Sequence, residues 1–550
     1  SMNVSEVLLE VLSAHGVKHL FGIPGDAIND VTDALRRQDR IRFIGVRHEE
    51  TGALAASVQA KLTGQLSACM GTSGPGGIHL LNGLYDAKMD HAPVIAITGQ
   101  VATGAIGTES HQEVNLERLF ADVAVYSQTV TTEAQVPKVF LEACHAAIAH
   151  RGVAHVSIPT DISDRKVSLD ANQPLAVATK GGISPVAADC GAALDLIENS
   201  QRIAILAGIG CVGARDQLLA FAEAVQAPIV RTLKAKEIID DDHPLCAGGL
   251  GLLGGKPAVK AMDGCDLLIM VGTDFPYPDF YPKSAAAIQI DIERTRIGRR
   301  HPVHVGLVGH AGPTLAALTK GVGKPTSGDF LQEIQAEMAD WKDKRDAAEA
   351  SDATPISPPR LLAALSEVAP DDAIFIADTG TSTAWAARHL HVRPNQRFTL
   401  SGGLATMAIG LPGAIGAQLA YPERRAIAIV GDGAFSMLVG DLVTAVRYKL
   451  PIIIVVLNNA KLGFITLEQE AKGLPDWGTD ILNPDFVALA RACGAAGFCV
   501  TEPEELEAAL SRALNETGPA VVEVVVDPDA LIMPPTINLS QAYHFGMAKV

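Results

Sequence analysis

The sequence predicts an α/β protein built from three doubly wound parallel-sheet domains, on three observations. First, apolar runs at residues 426–430 and 452–457 flank a segment, 435–449, in which Leu438, Leu442, Val443, Val446 and, just beyond it, Leu450 recur at helical spacing. Continuous apolar runs suit parallel strands covered on both faces, and the helix between them makes the right-handed crossover such strands require. Second, residues 67–99 repeat that unit: an apolar strand, a glycine turn (74–77, against 431–433), a helix, a proline (Pro93, against Pro451) and another strand. Two copies of one domain at opposite ends of the chain would account for this, although any two strand–helix–strand units look broadly alike. Third, the middle of the chain carries four more strand-like runs, RIAILA, PIVRTL, LLIMVG and AIQIDI.

In order, residues 4–15 are amphipathic, HLFGIPG is a strand entering a glycine turn, and residues 42–46 form a short strand ending at Arg47-His48-Glu49-Glu50. Residues 51–62 then read as a helix rich in alanine, and the first copy of the repeated unit follows. A composition shift at 168–186 reads as a linker. Residues 330–350 are a charged helix, ATPISPP closes a second linker, and the α/β pattern resumes at Pro359 and lasts to Val526. Domains are therefore expected at residues 1–180, 187–340 and 355–550. The final stretch, from Met533, is irregular at first and ends as a helix would begin.

Composition narrows the function. A hydrophobic content of 48% marks a globular chain, and a net charge of −18 argues against nucleic acid, whose phosphates demand basic surface. No apolar run approaches the roughly 18 residues of a spanning helix, and no charged segment followed by an apolar one marks a signal peptide, so the cytoplasm is the expected compartment. The eight cysteines are scattered without a CxxC pair and suggest buried thiols rather than zinc or disulfides.

Gly431-Asp432-Gly433 and Asn458-Asn459 fall at the carboxyl ends of neighbouring strands, the edge where open α/β sheets bind ligands. Glycines let the backbone approach an anion, the next helix offers free N–H groups, and Asp432 with Asn459 supplies hard oxygens for Mg²⁺. That is a magnesium diphosphate site. In the central domain Gly208, Gly210 and Gly213 satisfy GxGxxG, but RTLKAKE at the end of the next strand lacks the expected acid. Asp291, at another strand end, could accept from ribose hydroxyls, and VGTDFPYPDFYP (271–282) suits a flat ring system. All of these read equally well as ordinary strand-end loops.

With GDG, the separation of Asp432 from Asn459, RHEE near the N-terminus, and the strings SGPGGIHLLNGLYD, DDAIFIADTGTSTAWAARHL, GTDFPYPDFYP and NNAKLGF, the sequence resembles a known family. It is similar over essentially its whole length to the thiamine-diphosphate enzymes of the pyruvate oxidase and acetolactate synthase group, and within it to the quinone-reducing pyruvate oxidases. The resemblance implies pyrimidine-binding, FAD-binding and diphosphate-binding domains in that order, the first and third sharing the thiamine-diphosphate-binding fold. It implies thiamine diphosphate, Mg²⁺ and FAD as cofactors. It also implies active sites built between subunits, hence a homodimer at least and a homotetramer by the family's habit.

Carried over by position, Glu49 resembles the glutamate that bonds N1′ of the aminopyrimidine, so that N4′ can take the thiazolium C2 proton. Glu50 is either a solvated neighbour or a support for it. Asp432, Asn459 and the Lys461 carbonyl resemble the Mg²⁺ ligands, and Gly433 and Ala434 the backbone donors to the diphosphate. Gly25, Ala405, Thr406, Leu462, Gly463 and Ile465 resemble further cofactor contacts. Met407 resembles the bulky residue that wedges the cofactor into a bent shape, with a plain core methionine as the alternative. Phe464 resembles an aromatic placed near both cofactors. Gly251, Leu252, Leu253, Thr273, Asp274, Phe275, Pro276, Tyr277 and Asp291 resemble FAD contacts. Two departures stand out. His310 replaces an acid or small residue on the adenine side, and His111-Gln112-Glu113 stands where Phe-Gln-Glu is common. Gln112 would face substrate; His111 either preserves the packing of a ring or titrates near neutral pH. His79 is a further pocket candidate, or else a helix N-terminal residue with a satisfied ring.

The implied reaction decarboxylates pyruvate, or a related 2-ketoacid, through a hydroxyethyl adduct of the cofactor and passes two electrons to FAD. Acetate and CO₂ leave, or acetyl phosphate where phosphate takes part, and the flavin is reoxidised by a quinone or O₂. Acetolactate synthase-type carboligation is the alternative. A non-catalytic nucleotide-binding protein, or a nicotinamide dehydrogenase resting on GxGxxG, are more distant ones. In the quinone-reducing branch a C-terminal amphipathic tail reaches the inner face of the cell membrane, and Val550 stands about where such a tail begins, so peripheral membrane contact is expected only through residues beyond it.

Overall fold

The computed structural model describes residues 2–168, 177–178, 181–324, 326–536 and 547. The N-terminal sheet contains β1 (His19–Gly22), β2 (Arg42–Gly45), β3 (Ser67–Gly71), β4 (Val94–Gln100), β5 (Ala124–Thr129) and β6 (Val153–Pro159), all parallel in the order β2-β1-β3-β4-β6-β5. Every residue of β3, β4 and β6 is buried, as both-face coverage of a parallel sheet requires.

The central sheet contains β7 (Ile203–Ala207), β8 (Ile229–Arg231), β9 (Cys246–Gly249), β10 (Leu267–Val271), β11 (Ala286–Asp291) and β12 (Val305–Val308), in the order β9-β8-β7-β10-β11-β12. This is the doubly wound order of dinucleotide-binding sheets, with its topological switch between β7 and β10. β9 (CAGG) and β12 (VGLV) were not anticipated, because short glycine-containing strands carry little periodic signal.

The C-terminal sheet contains β13 (Ile374–Ala377), β14 (Arg397–Leu400), β15 (Ala426–Gly431), β16 (Ile453–Asn458), β17 (Ala496–Val500) and β18 (Ala520–Val525), again parallel, in the order β14-β13-β15-β16-β18-β17. Position for position this matches the N-terminal sheet: second, first, third, fourth, sixth, fifth. The likeness of 67–99 to 426–458 therefore extends to whole domains.

One expected element divides. Residues 435–449 read as a single helix, but the structure has Asp432–Met437, a 3₁₀ turn Val439–Asp441, and Leu442–Arg447. The break puts the Asp441 carboxylate where it accepts from Thr444 Oγ1 and, at 2.7 Å, from the Arg47 N–H of the N-terminal domain. Helical spacing does not record such a tether.

The terminal domains share one core, in which Phe21, Ile44, Leu54 and Leu84 join Ile376, Ile415, Val430 and Ile454. The alanine-rich helix α1 (Glu49–Thr63) makes this junction. It lies between α2 (Leu81–Met89) and α3 (Gly410–Ala420), and is buried at nearly every position. A Cβ on Gly83 would lie 2.5 Å from Ala53 Cβ, and one on Gly416 would overlap the Ala55 carbonyl oxygen, so small residues on each face set the approach.

Of the first linker, Ile183 is pinned to the central domain. Its N–H donates to His310 Nδ1 at 2.8 Å and its carbonyl accepts from the His310 N–H at 2.8 Å. Residues 169–176 and 179–180 of that linker, and 537–546 and 548–550 of the C-terminal stretch where a helix start is expected, lie outside the described residues. Cys69, Cys144, Cys211, Cys246 and Cys265 are buried as expected, Cys190 and Cys493 are half-buried, and Cys499 is exposed. Among the described residues no helix is long and apolar enough to cross a membrane.

Candidate active site

On the N-terminal sheet edge, the turn after β2 leads to His48, which caps α1: its Nδ1 accepts the Glu50 N–H at 3.1 Å. Glu49 is thus the first helical residue rather than part of the preceding loop. It is buried, and its Oε2 lies 2.9 Å from His79 Nδ1. The His79 ring stacks on His48 at 4.4 Å. His79 stands on the short helix Pro75–His79, entered through Gly74 at φ 63°. A Cβ on Gly74 would come within 2.9 Å of the Gln112 carbonyl oxygen, which brings Gln112, itself at φ 59°, to the same turn. The structure therefore pairs Glu49 with His79 and sets Gln112 against the turn that opens the His79 helix, while the neighbouring His111 is exposed. Gly25 has a packing reason, since its Cβ would overlap Thr72 on the adjoining turn.

On the C-terminal sheet edge, Asp432 begins the helix after β15 and is 1% exposed. One carboxylate oxygen accepts from the Gly433 N–H at 2.8 Å; the other accepts from the Ala460 N–H at 2.7 Å and Asn483 Nδ2 at 2.8 Å. Burial pushes its carboxyl above the usual range against these donors, and among the described residues it has no basic partner. Asn458 is held by Asn483 Nδ2 and by Glu523, whereas among the described residues the Asn459 side chain bonds only the Lys461 N–H, at 3.1 Å. Asn483 Oδ1 is buried without a partner among the described residues. A Cβ on Gly463 would lie 2.9 Å from Asn459 Nδ2, so the glycine lets the helix Gly463–Ala471 begin close against the loop after β16. A cleft opens here, lined by Thr381, Asn459, Lys461 and Gly463 among others. A buried, unneutralised carboxylate, further oxygens and open space beside Gly431 and Gly380 fit a divalent cation with a diphosphate.

Met407 stands between the two edges. It is half-buried rather than in the core, and its Cε lies 3.7 Å from where a Cβ on Gly433 would be. Its loop includes Ala405 at φ 55° and Ala408 at φ 78°, conformations that L-residues rarely adopt. Asp378, wholly buried, holds the loop by accepting from the Ala408 N–H at 3.0 Å and the Gly410 N–H at 2.8 Å. Burial raises its carboxyl to about 6 despite these bonds. Leu462 packs by Gly433, Ala434 is buried, Phe464 is half-buried and Ile465 is exposed.

In the central domain the fingerprint glycines serve the switch point. A Cβ on Gly208 would lie 2.5 Å from Thr273 Cβ and one on Gly210 would lie 2.6 Å from Gly272 Cα, so the turns after β7 and β10 lie in contact. Asp291, at the end of β11, is buried; its carboxyl is raised by burial and accepts the Glu293 N–H at 2.8 Å. A Cβ on Gly251 would lie 3.6 Å from the Phe275 ring, and Phe275 meets Tyr277 edge-on at 5.3 Å. Leu252, Pro276 and Tyr277 are exposed along this edge, an apolar and aromatic surface suited to a ring system. The Leu252 and Leu253 carbonyls accept from Arg388 of the C-terminal domain. Asp274 is committed to Arg300 at 2.9 Å and Arg299 at 3.3 Å.

Family profiles agree with this layout. Residues 2–119 match "Thiamine pyrophosphate enzyme, N-terminal TPP binding domain", residues 190–318 the central domain, and residues 378–524 the C-terminal TPP binding domain of the same family. The chain belongs to the thiamine pyrophosphate enzyme family. It is 43% identical over 542 residues to the Bacillus subtilis protein YdaP, whose name describes it only as thiamine pyrophosphate-containing; the match covers 98% of this chain and 94% of that one. It is 35% identical to pyruvate oxidase of Lactiplantibacillus plantarum, covering 97% and 90% of the two chains. It is 34% identical to the acetolactate synthase isozyme 2 large subunit of Escherichia coli, covering 96% of each.

For this thiamine pyrophosphate enzyme, sequence reasoning missed Asn483 and Asp378. Asn483 lies in an irregular segment with no periodicity, 51 positions from the Asp432 it supports. Asp378 was within reach, because ADTG follows an apolar strand and leads into a helix as GDG does. Glu50 is a support rather than a solvated neighbour: it accepts from Asn82 Nδ2 at 2.6 Å, and the same Nδ2 reaches Thr406 Oγ1 at 2.9 Å.

Proposed function

We propose that this chain decarboxylates pyruvate, or a closely related 2-ketoacid, and passes the electron pair to FAD, yielding acetate and CO₂, with a quinone or O₂ as final acceptor. The observation that carries this reading is the exposed apolar and aromatic edge at Leu252, Pro276 and Tyr277, backed by the buried Phe275 ring, at the switch point of a sheet with dinucleotide-binding order. The likeness to a pyruvate oxidase supports it. When bound, thiamine diphosphate supplies the electron sink for loss of CO₂, and FAD takes up the two electrons.

The protein's part is positioning and proton control. Asp432, Asn459 and the Lys461 carbonyl would hold Mg²⁺, and Gly433 and Ala434 would donate to the diphosphate. Glu49, buried at a helix N-terminus, would share a proton with the aminopyrimidine N1′. His79, already hydrogen-bonded to that carboxylate, would orient it, and Gln112 would meet the substrate carboxylate. Met407 would bend the cofactor over Gly433, and Phe464 would stand beside it. Exposed Met437, Ile465, Trp477 and Leu482 surround the diphosphate edge, the last two 83% and 99% exposed, which supports a second copy of the chain closing the site as a homodimer or a dimer of dimers.

Anaerobic stopped flow with pyruvate tests the reading. Flavin bleaching, followed by reoxidation with a soluble quinone or O₂, is expected, and phosphate in one arm would reveal acetyl phosphate. Glu49→Gln should abolish bleaching. The second reading, carboligation, is favoured by the equally extensive match to an acetolactate synthase; acetolactate formed without flavin reduction would establish it and exclude the first.

A further inference from the structure

The motif GGLATM contains two glycines that the reaction does not use, and what they meet is a carboxylate from another domain. Asp90 lies just past α2 with its side chain 4% exposed, and groups from all three domains converge on it. Lys61 of its own domain donates at 2.7 Å, Lys234 of the central domain at 3.1 Å, and the Gly402 and Gly403 N–H groups of the C-terminal domain at 3.0 and 2.8 Å. Lys61 also donates to the Leu400 carbonyl at 2.9 Å, just before the same loop, and pairs with Asp86 at 2.8 Å.

The fit admits only glycine. A Cβ on Gly402 would lie 2.5 Å from Lys234 Cγ, and one on Gly403 would lie 2.7 Å from the Met89 carbonyl oxygen. Burial opposes the charge on Asp90, but Lys61 and Lys234 outweigh it and hold the carboxyl well below the usual range.

We propose that Asp90 is a positioning residue: it anchors the start of the loop that carries Thr406 and Met407, as Asp378 anchors its end, and through Lys234 it ties that loop to the carboxyl edge of the central sheet. Between the two anchors the backbone is held at Ala405 and Ala408 in conformations it would otherwise leave. The height of Met407 over Gly433 is thereby set from a different domain. Lys234 lies in the turn after β8, on the edge that carries the aromatic surface, so the two proposed cofactor sites share one mechanical support.

The inference rests on the thiamine diphosphate reading for its consequence but not for its geometry, and the test separates the two. In cofactor-free protein, Asp90→Asn should speed hydrogen exchange at amides 402–409 by roughly tenfold or more, the scale of one lost charge-assisted hydrogen bond. Lys234→Met, a half-exposed site that leaves the Lys61–Asp90 pair intact, should give a smaller acceleration of the same amides. With Mg²⁺ present, Asp90→Asn should weaken thiamine diphosphate about tenfold or more and inorganic pyrophosphate less than about twofold, because only the former must bend around Met407. Equal weakening of both ligands would reduce Asp90 to general support of the fold, and unchanged exchange at 402–409 would overturn the proposal outright. If the unaltered protein bound pyrophosphate but not thiamine diphosphate, the functional reading would fail while the exchange result still judged the anchor.

Discussion

Gly416→Ala should destabilise the junction between the terminal domains, although the same substitution in most helices is favourable. Position 416 is interior to α3, where replacing glycine by alanine gains roughly 1 kcal/mol from helix propensity. The new Cβ, however, would overlap the Ala55 carbonyl oxygen and lie 3.0 Å from its carbonyl carbon and 3.1 Å from its Cα. These are backbone atoms of α1 and cannot rotate aside, so the helices must separate. Overpacking of this kind costs about 1–3 kcal/mol. Separation also stretches the bond from Gln59 Nε2 to the Gly416 carbonyl, now 3.1 Å, worth about 1 kcal/mol. The expected net loss is about 2 kcal/mol. Urea unfolding of the cofactor-free protein would read it as a lower midpoint for the transition that carries the terminal domains. Gly191→Ala is the control: it lies in the helix Ala187–Glu198 with nothing within 4 Å of a new Cβ, and should raise the midpoint of its own domain slightly. If Gly416→Ala raised stability as Gly191→Ala does, the close approach of α1 and α3 would be wrong, and with it the account of why α1 is built from alanine.

Further outcomes follow from the site. Asn483→Ala should lower Mg²⁺ affinity about tenfold by calorimetry, since it frees the Asp432 and Asn458 side chains that Asn483 holds, while the fold loses about 1 kcal/mol. The carboxyl of Asp378 is raised in the folded state, so it favours folding most below its unfolded value of 3.8, and that contribution is lost as pH climbs through about 6. The difference is about 3 kcal/mol. Stability of the cofactor-free protein should therefore carry a downward component between pH 4 and 6, and Asp378→Asn should flatten it; an unchanged slope would dismiss the buried charge. His111→Phe should leave turnover nearly unaltered, because the ring is exposed; a marked loss of turnover would instead place His111 in the pocket.

What the sequence made legible was local. β15, the GDG turn and the Asn458-Asn459 pair lie within one strand–helix–strand unit, where periodicity and glycine placement act over a few residues. The duplication could be read for the same reason, though its full extent needed the shared strand order. Contacts that bring Asp90 to Gly402 and Gly403, or Arg47 to Asp441, join residues 312, 313 and 394 positions apart, and no local pattern encodes them. The division of 435–449 into two helices is the instructive error. Its apolar spacing satisfies one continuous helix, yet the Asp441 carboxylate is needed to receive the Arg47 N–H, two residues before Glu49. The break at Leu438 thus belongs to the placement of the α1 N-terminus, and not to the packing of the segment in which it occurs. Local patterns failed at the positions where one domain orients a residue of another, at Asp90, Asp441 and Gly416. For a site assembled from two sheet edges, those are the positions that fix where each edge stands.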